Sequence, residues 1–327
     1  MVFNHFFCYN TLHGDIMSEK DYKKILKDKL IEYRNSLNLP SDVTFGVEIE
    51  YENMPTDTVT LLMYQERQFN EKLNKWFSKR ETDLSEYNNI LRENMNGEIS
   101  SPILIDNIDN WNNLTIVLNL LEKNGAIVTE KCGGHVNIGA HILGNNQEYW
   151  RNFLLLWTLY YKQICKFSSG EFINIRKRRK GILNNSYILL NKQTEFIFGK
   201  YGNIGSFLID NCDFLFSSKY DISIPIPGIL SESIKEDNRI EFRLPNATLK
   251  EETWQNYINF FAKFVLSCRK ELDVEKTLYK IKNKESSVIE LVDYVFDDDI
   301  DKEYFLIQTL KTNKVYKKEL PEHKTYY

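Results

Sequence analysis

Phe45-Gly-Val-Glu-Ile-Glu50 decides how this chain folds. Around it, over residues 43–51, the apolar Val47 and Ile49 alternate with Glu48 and Glu50. Side chains of a strand alternate between faces with a period of two, so the spacing predicts a strand with both carboxylates on one side. Three later segments repeat the device: Gly97-Glu-Ile-Ser-Ser-Pro102 places Glu98 with Ser100, Cys132-Gly-Gly-His-Val-Asn137 places His135 with Asn137, and Ile240-Glu-Phe-Arg243 places Glu241 with Arg243. Strands buried on both faces, as in parallel sheets, read as continuous apolar runs; polar residues at every second position favour an antiparallel sheet with one face open to a cleft. The expected class is α+β, with helices packed on the outer face of that sheet.

The helices are read outward from these strands. Ser18 can cap a helix whose apolar residues Tyr22, Ile25, Leu26, Leu30 and Tyr33 recur at steps of three and four, ending near Asn38-Leu-Pro40. Further helices are predicted over 57–76, 106–124, 147–167, 251–270, 288–295 and 303–310, with Asn124-Gly125 stopping the second of these. Pro102 ends the strand before it or puts it at an edge. Between 167 and 239 the chain is rich in Asn, Ser, Gly and Lys and predicts only short helices and loops. Residues 1–17 read as an extension or tail, and 18–327 as one catalytic domain with a motif core at 43–249 and C-terminal helices over 250–327.

Composition removes several classes of function. With 327 residues, 42% of them hydrophobic, the chain is long enough to bury about three quarters of its unfolded surface. A net charge of −4, with both signs plentiful, supplies no overall field for nucleic acid or an anionic membrane. The cysteines Cys8, Cys132, Cys165, Cys212 and Cys268 stand singly, which fits neither a zinc knuckle nor a disulfide framework. The apolar run 153–161 is far short of the ~20 residues that span a bilayer, and the first residues lack a basic region followed by a small-residue cleavage site. These features point to a cytoplasmic protein with no nucleic-acid or membrane partner.

The chemistry lies where the four polar strand faces converge. Four carboxylates, an imidazole and a guanidinium cannot be packed as core, because unpaired buried charges cost several kcal/mol each. Something positive must sit among them. Glutamates and an imidazole without thiolate partners are ligands for Mg²⁺ or Mn²⁺ rather than structural zinc. Magnesium usually keeps substrate phosphates in its shell, which implies a nucleotide such as ATP. The chain has no GxxxxGK[ST] loop, no GxGxxG after a strand and no HRD or DFG pair, so a nucleotide would be held by metal bridging and side-chain cations.

In order and spacing the four segments resemble the amidoligase family, of the carboxylate–amine ligase superfamily that also holds glutamine synthetase and glutamate–cysteine ligase. The resemblance spans about residues 43–249. It implies a glutamine synthetase-like antiparallel sheet cupping ATP and two or three divalent ions, with a carboxylate substrate phosphorylated and the acyl phosphate then attacked by an amine. It implies metal ligation by Glu48, Glu50, Glu98 and Glu241, with His135 at the metal and the nucleotide phosphates and Arg243 on the transferred phosphoryl group. Departures from the family pattern are Asn137, where many members have a second histidine, and Lys219-Tyr-Asp-Ile-Ser223, where a run beginning Lys-Tyr often ends in Asn. Asn137 and Lys219 are nucleotide-side candidates on that basis.

Each feature has a plainer reading. Alternating glutamates are common on the wet side of a sheet, a single histidine is most often structural, and Glu241 with Arg243 can be a same-face ion pair. Gly133-Gly134 would let backbone approach a ligand closely. The run Arg176-Lys-Arg-Arg-Lys180 reads as a solvated loop or as a cationic lid over phosphates, with Arg176 and Arg178 its cofactor-side candidates. Cys132 has no evident base and reads as packing. Taken together, the residues predict an ATP-dependent, Mg²⁺- or Mn²⁺-requiring ligase in which His135, Glu241 and Arg243 act in catalysis. Its substrates would be a small-molecule or peptide carboxylate and an amine. The alternatives are a phosphotransferase of the same fold and an inactive peptide-binding module.

Overall fold

The computed structural model describes residues 26, 28–81, 87–88, 93–170, 222–223 and 238–319. In chain order the elements are β1 (Thr44–Glu52), α1 (Thr56–Arg67), β2 (Phe77–Lys79), β3 (Tyr87–Asn88), β4 (Glu93–Asn94), β5 (Asn96–Ser100), β6 (Leu104–Ile105), α2 (Ile108–Lys123), β7 (Gly134–Gly139), α3 (Gln147–Ser169), β8 (Ile222–Ser223), β9 (Arg239–Phe242), α4 (Glu251–Ser267), α5 (Val274–Asn283), α6 (Val288–Val295) and α7 (Asp299–Glu319).

Among the described residues seven strands form one sheet in the order β2-β5-β1-β7-β9-β8, with β6 pairing the start of β1. Every pairing is antiparallel. The order follows from the pleat: each central strand has one wholly apolar side, and only adjacency lets those sides merge into a continuous surface. Phe45, Val47, Ile49 and Tyr51 of β1, Ile99 of β5, Val136 and Ile138 of β7, and Ile240 and Phe242 of β9 are all at most 2% exposed. β3 and β4 form a separate two-stranded pair. The α+β class read from the sequence is the class observed.

Helices cover the apolar side. Trp111 of α2 stacks on Phe45 with ring centres 5.1 Å apart. Over β9, Phe242 stacks on Phe261 of α4 at 4.2 Å and meets Trp157 and Phe153 of α3 at 5.5 and 6.2 Å. α7 closes a second layer, where Phe305 stacks on Phe167 of α3 at 4.3 Å. Such offset and edge contacts add to the burial of each ring. Local signals set the helix ends: Asn107 and Asn146 accept hydrogen bonds from Asn110 N and Glu148 N, and Gly125 leaves α2 at a φ of +87° that suits glycine.

Two expectations are corrected. The helix predicted over 57–76 ends at Arg67; a short 3-10 turn, Glu71–Lys75, then leads into strand β2. Of the helix predicted to reach Asn38, residues 29–38 are non-helical. Their backbone groups are claimed by distant side chains instead. Asp106 accepts hydrogen bonds from Leu37 N, Leu39 N and Ser36 Oγ at 2.8–3.0 Å, and Gln255 both accepts from Arg34 N and donates to Arg34 O. Two helices go beyond the sequence reading: α5, capped by Asp273, and α7, which extends well past 303–310. The tail at 1–17 and the basic run 176–180 lie outside the described residues, and among those described no helix is long and apolar enough to cross a membrane.

Candidate metal centre

The alternation that buries nine apolar residues on one side of the sheet sends the intervening residues to the other. Register then decides who meets whom. Glu48 stands opposite Ser100 on one neighbour and His135 on the other, Glu50 opposite Glu98, Lys79 beyond Glu98, and Asn137 opposite Glu241. The four motifs are therefore brought onto one continuous patch. Glu50, Glu98, His135 and Glu241 are buried, none more than 6% exposed, on the side of the sheet opposite its apolar face.

Each carboxylate there is matched by a donor. Glu48 receives His135 Nδ1 at 3.2 Å and Asn137 Nδ2 at 3.1 Å. Glu50 is gripped through the backbone: its Oε2 accepts from Gly133 N at 2.6 Å while its own N–H donates to Gly133 O at 3.1 Å. Glu98 accepts from Ser100 Oγ at 3.1 Å and pairs with Lys79 Nζ at 2.8 Å, which also lies 3.7 Å from Glu48. Glu241 pairs with Arg243 and lies 3.5 Å from His135 Nδ1. Along β1, Glu52 accepts from Thr129 Oγ1 and has Lys131 Nζ at 3.5 Å.

Their titration behaviour follows. Burial raises the Glu98 carboxyl, the nearby charge of Glu48 raises it further, and Lys79 only partly offsets this, so it is pushed up to about 7. Burial pushes Glu48 the same way, but the hydrogen bond and charge of His135, with Lys79 and Asn137, win and hold it well below the usual carboxylate range. One glutamate of the pair is thus kept charged while the other resists ionisation, the behaviour of carboxylates crowded together without a full complement of positive charge. Lys79, whose burial would lower it, is raised by its bond to Glu98 and by the charges of Glu98, Glu48 and Glu81.

Among the described residues two groups of side chains converge closely enough to ligate an ion: Glu48, Glu98 and His135, and Glu50, Glu81 and Glu98, each with ligand atoms within 4.8 Å of one another. Opposite ligands of an octahedral Mg²⁺ stand about 4.2 Å apart, so either group closes on an ion with small side-chain shifts. The donors are carboxylate oxygens and one imidazole, a set that fits Mg²⁺ or Mn²⁺. Glu98 belongs to both groups.

Of the residues singled out in the sequence, the structure brings together Glu48, Glu50, Glu98, His135, Asn137, Glu241 and Arg243; Arg176, Arg178 and Lys219 lie outside the described residues. Ser223 stands opposite Glu241 on β8. The glycine pair serves packing as well as the site. A Cβ at Gly134 would lie 2.6 Å from the Trp254 ring, and one at Gly133 would lie 3.2 Å from Glu50 Oε1. Cys132 is buried, and burial pushes its thiol up to about 12, as expected of a packing residue. Sequence reading missed Lys79, Glu81 and Arg239, the last of which donates to Asn137 Oδ1 at 3.1 Å. The alternation Phe77-Ser-Lys79-Arg-Glu81 carried a signal, but strand β2 is only three residues long.

No family model and no curated protein matches the chain. Among solved structures, a glutamine synthase homolog is similar at 9% identity and a TM-score of 0.37, over 86% of this chain and 68% of that one. The complex between the prokaryotic ubiquitin-like protein Pup and its ligase PafA is similar at 10% identity and a TM-score of 0.30, over 87% of this chain and 66% of that one.

Proposed function

We propose that the protein is an ATP-dependent carboxylate–amine ligase that works through an acyl phosphate, with Mg²⁺ or Mn²⁺ held by Glu48, Glu50, Glu98, His135 and Glu241. The observation that carries this reading is the buried acidic face itself. Glu48, Glu50, Glu98 and Glu241 meet His135 on the side of the sheet opposite its apolar, helix-covered face. Nothing in the stability of the fold calls for such a grouping, because apolar residues of similar volume would avoid the desolvation penalty.

Divalent ions bound there would neutralise the phosphate oxygens between which a phosphoryl group passes. The chain's own groups supply the rest. His135 and Asn137 hold Glu48 charged, Gly133 fixes Glu50, and Ser100 orients Glu98. Arg243, a third exposed and drawn toward the patch by Glu241, offers a planar guanidinium to the developing charge on the transferred group. In the reaction the substrate carboxylate attacks the γ-phosphorus, the bond to ADP breaks, and an acyl phosphate forms. The amine nitrogen then attacks the acyl carbon, phosphate leaves, and the nitrogen gives up a proton, which yields the amide or isopeptide. The acid is an acidic amino acid or a peptide, and residues 18–327 belong to the catalytic domain, with Lys219, Arg176 and Arg178 on the nucleotide side.

The test incubates the protein with Mg-ATP and pools of acidic amino acids or peptides and amines. ADP, free phosphate and a new amide in equal amounts support the ligase. A phosphorylated acceptor without free phosphate identifies a phosphotransferase. Failure to bind Mg-ATP at all leaves the peptide-binding module.

A further inference from the structure

Lys79 was no part of the motif pattern, yet it reaches the centre of the acidic face. It comes from β2 at the edge of the sheet, where register sets it directly beside Glu98. Its ammonium lies 2.8 Å from Glu98 and 3.7 Å from Glu48. With His135 they are the three side chains of one group whose ligand atoms lie within 4.8 Å of one another. The lysine therefore stands where a bound cation would draw its charge.

The two ends of this pair differ. The Glu98 side chain is 2% exposed and cannot leave, whereas that of Lys79 is 47% exposed on an edge strand and can swing its head into water. An ammonium is a single charge on a flexible stem and a good stand-in that a doubly charged ion can displace.

We propose that Lys79 is a tethered counter-ion for the metal centre: it neutralises Glu98 and Glu48 in the metal-free protein and is displaced when the divalent ion binds. Lys79 is a positioning residue, acting through the two glutamates. It sets the affinity of the site, because each binding event must first separate an ion pair and then hold an ammonium near a like charge. This inference rests on the divalent-ion reading of the acidic face.

The test is equilibrium binding of Mn²⁺ alone to the full chain, with no nucleotide, for wild type, Lys79→Met, Lys79→Arg and Glu98→Gln, together with thermal unfolding of each in chelator. Methionine keeps the stem and removes the charge. Lys79→Met should bind Mn²⁺ roughly three- to tenfold more tightly than wild type, the range expected for loss of a half-exposed competing pair, and its Tm in chelator should fall. Lys79→Arg should restore the wild-type values, and the Tm loss should vanish when Lys79→Met is combined with Glu98→Gln. Equal or weaker Mn²⁺ binding by Lys79→Met than by wild type overturns the inference while leaving the metal centre standing. Absence of Mn²⁺ binding in wild type and Lys79→Met alike overturns both.

Discussion

One sheet presents two faces built from the same strands, and the contrast between them explains the molecule. On one side Phe45, Val47, Ile49, Val136, Ile240 and Phe242 are sealed under α2, α3 and α4. On the other side the residues between them, Glu48, Glu50, His135, Asn137 and Glu241, are matched donor to acceptor. The first face gains free energy by removing apolar surface from water, and its residues are replaceable in kind but not in volume. The second gains little stability from its charges. A two-residue period thus separates stability from chemistry along a single backbone, and substitutions one position apart should fail in different ways.

The largest effect should come from the helical side. Phe242→Ala removes a ring packed against Phe261, Trp157 and Phe153, and should lower stability by about 3–5 kcal/mol, read from the urea unfolding midpoint. Metal binding would be lost only in proportion to the unfolded fraction. Asp106→Ala comes next. It strips the acceptor from Leu37 N, Leu39 N, Ser36 Oγ and Trp111 Nε1, and should lower stability by about 2–3 kcal/mol while leaving metal affinity of the folded protein unchanged.

A smaller, pH-dependent effect should mark the acidic side. Because the folded metal-free protein raises Glu98 to about 7 from an ordinary value of 4.5, it binds that proton more tightly than the unfolded chain does. The group's contribution is therefore fully present below about pH 4.5 and is lost as pH rises toward 7. In chelator, Glu98→Gln should gain stability relative to wild type across that window, and parallel curves would contradict the account. Glu48, held low, works in the opposite sense and weakens the fold only as pH falls below its ordinary range.

The same contrast explains what the sequence disclosed. β1, β5, β7 and β9 were legible because alternation is a local signal, and the shared face of Glu48, Glu50, Glu98, His135 and Glu241 follows from it directly. α3 and α6 were legible from length and periodicity, and α6 falls where expected, at Val288–Val295. The segment at 29–38 was misread as helix, since its apolar spacing suits a helix but its partners Asp106 and Gln255 lie far away in sequence, where no periodicity can announce them. α5 had a capping Asp273 and apolar Val274, Leu278 and Ile281 in its pattern, masked by its many charged neighbours. Lys79 escaped notice because a three-residue strand is too short for alternation to register, and its importance appears only once β2 is laid against Glu98.

The measurement that bears most directly on the two-faced sheet is Mn²⁺ binding by Glu48→Gln, made beside its unfolding curve. Glu48 is one residue from the apolar Val47 and Ile49 and touches His135 and Asn137. The substitution preserves shape and removes one charge. The account predicts a protein that still unfolds cooperatively and, where folded, binds Mn²⁺ at least about tenfold more weakly. Wild-type affinity in a folded Glu48→Gln protein would contradict it.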